Sequence, residues 1–362
     1  MTQTRVSAPQ FFSLLYLSVL SSIFMYISSP EITVSETDSL LRPLIFIVMS
    51  IIAGIPTFLI YKEINKSESL KTTLTESKFF KVIAAFYGVV YLVGIIRTAA
   101  RFDLFASSEL FPGTEMTLFI IALIVVCALI SLLGLGALSR AGVIFVVIVV
   151  GATGFVMLSL LEEVDLLNFT PLFREGGLNF IWDSVLFGVQ ASEIGAIALV
   201  LPEIKGNVTK NYILWSVFSG LSFIVVLFFV VGTLGVFADT QLFPTYTAVT
   251  LAKFGLLERM DALETAIWIL CVVEKIAFYF LVISKSFKIV FKKVSKRLIC
   301  IVSAVLVSIV LAFISSNLER FSFISYTPVV LAMYIVPVIV LPLATVIYLK
   351  KVKPCEKNSE TD

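Results

Sequence analysis

The sequence predicts an all-α polytopic membrane protein of ten transmembrane helices, arranged as a 5+5 inverted repeat with discontinuous helices 1 and 6. Three observations lead there. The 362 residues are 59% hydrophobic and 14% charged, with a mean hydropathy of +1.04, so polar residues are too few to clothe a soluble globule of this size. Ten apolar windows reach the length of about 20 residues that crosses roughly 30 Å of hydrocarbon. The sixth of them lies within FIWDSVLFGVQASEIGAIALVLPEIKGN (180–207) and is interrupted by Gly188, Gln190, Ser192 and Glu193.

The spans lie near 9–29, 40–61, 80–100, 116–134, 139–160, 181–202, 211–237, 263–284, 298–315 and 326–349. They read as one membrane domain, with a first five-helix repeat at 9–160, a second at 181–349 and a cytoplasmic tail at 350–362. An odd number of spans per half inverts the second half relative to the first. Folds of that kind place substrate and ions at the bilayer midplane, beside the broken first helix of each half. The symmetry follows from the span count, since no letter-by-letter repeat accompanies it.

Orientation follows from the basic residues. Lys62, Lys66, Lys71, Lys78 and Lys81 follow span two, Lys285 to Arg297 follow span eight, and Lys350, Lys351, Lys353 and Lys357 close the chain. With Arg5, Arg140, Lys205 and Lys210, nineteen of the 27 basic residues fall on one side, which the positive-inside rule makes cytoplasmic together with both termini. MTQTRVSAPQ runs into span one without a small-residue cleavage site, so the first helix reads as retained.

Other classes are excluded early. The net charge is +2 and no basic block is interleaved with aromatics, so nothing points to nucleic acid. The chain has no histidine, which removes His-centred triads and histidine metal sites, and no cofactor is expected. Cys127, Cys271, Cys300 and Cys355 have no metal or pairing pattern and read as reduced packing residues. An enzyme is therefore not expected.

The candidate site is built from spans one, six and eight. Span one carries Ser21 and Ser22 near its middle and Ser28, Ser29 and Pro30 near its outer end. These serines fit either ligand and backbone hydrogen bonding or close helix packing. In span six, Gly188 and Gly195 bracket the polar cluster, and Pro202 marks the cytoplasmic end. A carboxylate at mid-membrane depth costs about 2.5 kcal/mol or more on insertion. Glu193 is thus read as a ligand-ammonium contact or a proton site, against the alternative of a group solvated in a vestibule. In span eight, Glu274 and Lys275 are adjacent and point about 100° apart, so each needs its own partner. One arrangement sets Lys275 against Glu193 or the broken end of span one, and the other makes it half of an interhelical bridge that locks the bundle.

Three further features are secondary. Arg97, Arg101 and Asp103 lie near the outer end of span three, where snorkelling to the headgroups is favoured over an anion-binding role. Asp261 and Glu264, with Arg259, read as caps at the start of span eight. The outer segments ADTQLFPTYTAVTLAKFGLLERMDA and EEVDLLNFTPLFREGG are long enough to carry structure of their own, as a lid or a partner surface.

Four stretches carry a family resemblance: RVSAPQFFSLLYLSVLSS, LSRAGVIFVVIVV, LLNFTPLFREGGLNFIWDSVLFGVQASEIGAIALVLPEI and FPTYTAVTLAKFGLLERMDALETAIWIL. In this order the chain resembles the B subunits of endospore germinant receptors, relatives of the amino acid-polyamine-organocation permeases. The FPTY segment, followed by LER and an acid before AIW, is the most specific mark. The resemblance implies a ten-helix receptor in the inner membrane of a spore, assembled with an A subunit and a lipoprotein C subunit. It also implies that a small germinant, often an amino acid, triggers germination from a transporter-like pocket. Carried over by position, that pocket would be Ser21 and Ser22 with Phe187, Gly188, Gln190, Ser192 and Glu193, while the buried charges themselves point to Glu193, Glu274 and Lys275 for proton or ion coupling. The alternative function is a proton-coupled amino acid permease. Where the family pattern has a glycine directly before an acid in span six, here Glu193 follows Gly188 by five residues.

Overall fold

The computed structural model describes residues 6–24, 37–64, 77–112, 114–170, 177–189, 191–253, 260–314 and 327–351. A two-residue strand, β1 (Val6–Ser7), leads into α1 (Ala8–Phe24), followed by α2 (Arg42–Ile64) and α3 (Lys78–Phe105). Then come α4 (Thr117–Ser131), α5 (Leu135–Ser159) and α6 (Gly177–Gly188). After α6 the chain bends into a 3-10 turn (Ser192–Ala196), the single turn α7 (Ile197–Val200) and β2 (Ile204–Lys205). The remainder is α8 (Val208–Leu234), the short α9 (Pro244–Thr250), α10 (Asp261–Val290), α11 (Lys296–Ile314), α12 (Thr327–Ile335) and α13 (Leu341–Lys351).

Seven helices among the described residues are long and apolar enough to cross a membrane, and the pair Phe180–Gly188 and Ser192–Glu203, bent by 44°, makes an eighth span. Two shorter apolar helices, Ala8–Phe24 and Thr117–Ser131, stand where the sequence places spans one and four. The discontinuity expected in helix 6 is therefore present. Helix 1 is continuous through Ser21 and Ser22 to Phe24, and its expected outer end, with Ser28, Ser29 and Pro30, lies outside the described residues.

The centre of the bundle is α10. Burial takes 78% of its apolar window, against 22% for α5 and 39% for α11, whose leucines, isoleucines and valines face outward. In a bilayer the outer face is as apolar as the core, so what separates inside from outside is small residues and polar groups. Gly142 of α5 shows this: a Cβ there would stand 3.1 Å from the backbone of Leu14, so the glycine lets α5 lie close against α1, and a larger residue would push the two helices apart by a few tenths of an ångström. Gly195, in the bent part of span six, sits against Pro337 in the same way, with its would-be Cβ 2.8 Å from the proline carbonyl.

Pro337 opens a π-helical turn, Val336–Val340, between α12 and α13. A proline frees a carbonyl one turn back and distorts the ladder around it. Tyr87 of α3 donates to the Pro337 carbonyl at 3.0 Å, which keeps this irregular backbone satisfied inside the protein. At the end of the bundle where α1 begins, β1 pairs in parallel with β2, Val6 opposite Ile204 and Ser7 opposite Lys205. That ladder ties the start of α1 to the end of span six.

The described parts of the two segments that the sequence places outside pack against the bundle. The FPTY motif starts α9, with Pro244 at its first turn and Pro244, Thr245 and Tyr246 buried. Phe243 packs edge-on against Phe105 at 5.2 Å and beside Trp268 at 5.9 Å, and the Tyr246 hydroxyl donates to Asp261 at 3.4 Å. The motif thus fastens the segment to α3 and α10. Asp261 and Glu264 stand in the first turn of α10, where the sequence expects acids at the start of the helix, and both are buried; Arg259 lies outside the described residues. In the other segment, Asn168 donates its amide to the Gly232 carbonyl at 2.8 Å, and Phe169 stacks on Phe228.

Candidate functional site

The break in span six creates the site. After Gly188 the α-helical ladder ends with Val189 donating to Val185 (3.0 Å), and Ala191 turns back to the Gly188 carbonyl (3.4 Å). The Ser192 carbonyl, at the start of the 3-10 turn, accepts from the Tyr91 hydroxyl of α3 at 3.0 Å. The Ser192 hydroxyl shares a 3.4 Å hydrogen bond with Tyr279 of α10. Tyr91 and Tyr279 also pack ring to ring at 4.9 Å, so two phenols hold the irregular strand of backbone from two helices.

Directly behind the break, Glu193 is fully buried and forms an ion pair through Oε1 with the Lys275 ammonium. The same oxygen accepts from Ser18 of α1 at 3.3 Å, and Lys275 donates to Ser22 of α1 at 2.7 Å. Lys275 also stands 5.7 Å from the Tyr279 ring centre, where the face of the ring attracts a cation. Three spans that are far apart in sequence meet at this one charge pair. The second carboxylate oxygen of Glu193 is buried, with the Tyr279 phenol beside it.

In front of the pair a narrow cleft of about 20 Å³, room for about one water molecule, is lined by Ser22, Gly94, Arg97, Thr98, Arg101, Ser192, Lys275, Tyr279 and Met333. The walls come from spans one, three, six, eight and ten, so both halves of the chain contribute. Arg97 is buried at 8% exposure and faces this cleft rather than snorkelling to the perimeter. Gly94, Arg97, Thr98 and Arg101 follow helical spacing and form one stripe on α3. That stripe was visible in the sequence, and it is the part of the site that sequence reasoning set aside.

The other proposed site residues are placed as follows. Ser21 points away from the pair and donates back to the Ser18 carbonyl at 2.7 Å. Gly188 packs against Met49 of α2, and Phe187 lines a separate apolar cavity with Ile23, Phe223 and Val226. Glu274 is buried on the side of α10 that faces α4, within electrostatic range of Cys127, and its Oε1 has no hydrogen-bond partner among the described residues. Gln190 lies outside the described residues.

Two further ion pairs flank the site. Arg42 at the start of α2 contacts Asp183 of α6 at 3.3 Å, and Lys285 of α10 contacts Glu203 beyond α7 at 2.7 Å. Both segments of span six are therefore held by a charge pair, one on each side of the break.

The sequence model of a family described as spore germination protein matches residues 5–321. The chain belongs to this family. No curated protein matches it by sequence. Among solved structures, the chain is similar to Mhp1, a nucleobase-cation-symport-1 family transporter in a closed conformation with bromovinylhydantoin bound. The TM-score is 0.64 at 14% identity, over 91% of this chain and 76% of that one. At such identity the likeness shows the fold, and the fold is that of an inverted-repeat transporter. This spore germination family member is thus a multi-pass membrane protein whose family and fold are those of permeases rather than enzymes.

Proposed function

We propose that this protein is the ligand-binding B subunit of a spore germinant receptor, in which a small nutrient, an amino acid or a similar solute, occupies the cleft at the break of span six. The observation that carries the reading is the convergence of Ser22, Ser192, Lys275 and Tyr279 from three spans around a cleft whose backbone wall is irregular. Irregular backbone at membrane depth is tolerated where it lines a cavity. A site assembled from both halves closes or opens as the halves move, and a ligand shifts that equilibrium by its difference in affinity for the two states. In this reading A and C subunits receive the change, the protein sits in the spore inner membrane, and both termini face the cytoplasm.

The second reading is a proton-coupled permease for amino acids. It is favoured by the likeness to a symport-family transporter and by the buried acids Glu193 and Glu274. The test is ligand-dependent thermal stabilisation of the purified protein across amino acids, nucleosides and sugars, followed by uptake into proteoliposomes under a pH gradient. Stabilisation without accumulation supports the receptor, and accumulation supports the permease. If no compound stabilises the protein and none is taken up, both readings fall.

A further inference from the structure

We propose that Glu264 is a proton-binding site: its carboxyl carries a proton while the FPTY segment lies over it, and gives that proton to water when the segment lifts. Glu264 is 2% exposed, and neither of its carboxylate oxygens has a hydrogen-bond partner among the described residues. Even the Trp268 indole N–H, one turn further along α10, is buried and does not reach it. The ionisable groups of the surrounding elements are Arg101 and Asp103 of α3, Tyr16 of α1, Tyr246 of α9, and Asp261 and Cys271 of α10 itself. None of them forms an ion pair or hydrogen bond with Glu264. A carboxylate withdrawn from water with no partner is far costlier charged than protonated, so this acid is neutral in the arrangement described.

The seal over it is α9. Tyr246 donates to Asp261, three residues before Glu264, at 3.4 Å, and Phe243 packs beside Trp268, four residues after it, at 5.9 Å. Phe105 of α3 completes the cluster, with its ring centre 3.9 Å from Trp268 and 5.2 Å from Phe243. Positions 261, 264 and 268 share one face of α10, so α9 runs across the turn that carries the acid. Lifting α9 opens that turn to water, where the carboxylate ionises. A proton held in one arrangement and released in the other makes their equilibrium depend on pH: each unit of rising pH favours the open form by up to about tenfold. Glutamine matches the protonated acid in size and has no proton to release, so Glu264→Gln removes this dependence.

Cys271 lies two turns beyond Glu264 on the same face and is fully buried, which makes it a native reporter of the opening. The experiment follows N-ethylmaleimide labelling of Cys271 by mass spectrometry in the full-length protein in detergent, from pH 6 to pH 8, for the wild type and Glu264→Gln. Cys300 of α11, also buried, reports general loosening of the bundle. Intrinsic thiol chemistry cancels in the ratio of the two proteins' rates, and an ionised Glu264 near Cys271 repels its thiolate, which works against the expected rise. The wild-type to variant ratio at Cys271 is expected to rise by about tenfold or more over this range while the ratio at Cys300 stays level. A level ratio at Cys271 overturns the assignment. So does an equal rise at Cys300, because the whole bundle would then be loosening. If Glu264→Gln does not fold, Glu264→Met takes its place. Failure of both to fold overturns the assignment too, since neutral side chains of that size leave the closed arrangement intact if the acid is neutral there. The measurement uses no ligand, so its failure leaves the reading of the cleft standing.

Discussion

Span six and α10 are joined by two lysine–glutamate pairs of the same chemistry and very different surroundings. Lys275–Glu193 has side chains 7% and 0% exposed, whereas Lys285–Glu203 has side chains 15% and 29% exposed. In the Lys285–Glu203 pair the ammonium nitrogen is buried but the carboxylate side keeps access to water, so removing the lysine leaves an acid that solvent can still reach. The central pair has lost its solvent and relies on a single partner plus two serines of α1. Fully buried pairs are seldom a net gain over an apolar core, so their presence marks a place where charge itself is used. The difference separates a fastening of the bundle from a site.

The comparison is broken most severely at Glu193. Glu193→Gln leaves the Lys275 ammonium buried without its counter-charge and is expected to cost about 3–5 kcal/mol, read as a lower denaturation midpoint. Lys275→Met strands Glu193 and is expected to cost a similar amount. The double variant Lys275→Met/Glu193→Gln is expected to recover most of the loss, because no charge is then left alone, and a double-mutant cycle measures that recovery. Additive losses would mean that the two groups are not one unit. Next comes Arg42→Gln at the outer pair, expected to cost about 2–3 kcal/mol, as for a lost charged hydrogen bond. Tyr91→Phe removes the donor to the Ser192 carbonyl and is expected to cost about 1 kcal/mol while shifting the ligand concentration dependence. Smallest is Lys285→Gln, at about 0–1 kcal/mol, and that loss should shrink further in high salt.

Much of this architecture is written in the apolar runs. Spans two, three, five and seven to ten follow directly from stretches too long and too apolar for anything else, and the break in span six follows from a polar cluster between Gly188 and Gly195. What the runs do not carry is facing. A helix apolar on every side, such as α4 or α5, gives no period from which to tell lipid from protein. Arg97 illustrates the consequence: near a helix end, an arginine can reach headgroups or turn inward, and only the small and polar stripe of Gly94 and Thr98 beside it marks the inward choice. Ser21 and Ser22 are adjacent and chemically alike, yet one meets Lys275 and the other closes on its own helix. That distinction depends on the rotation of α1, which is set by contacts with distant parts of the chain such as Gly142 against Leu14. Glu274 and Lys275 were separable in advance, because neighbouring helical positions cannot share a face.

The measurement closest to the central claim compares ligand-dependent stabilisation of the wild type with that of Lys275→Met/Glu193→Gln, a variant expected to fold because no buried charge is left unpaired. If the cleft before this pair is the ligand site, the compound that raises the wild-type melting temperature will do so in the double variant only at concentrations about tenfold or more higher, or not at all. An unchanged concentration dependence in a folded double variant would contradict the account and place the ligand elsewhere.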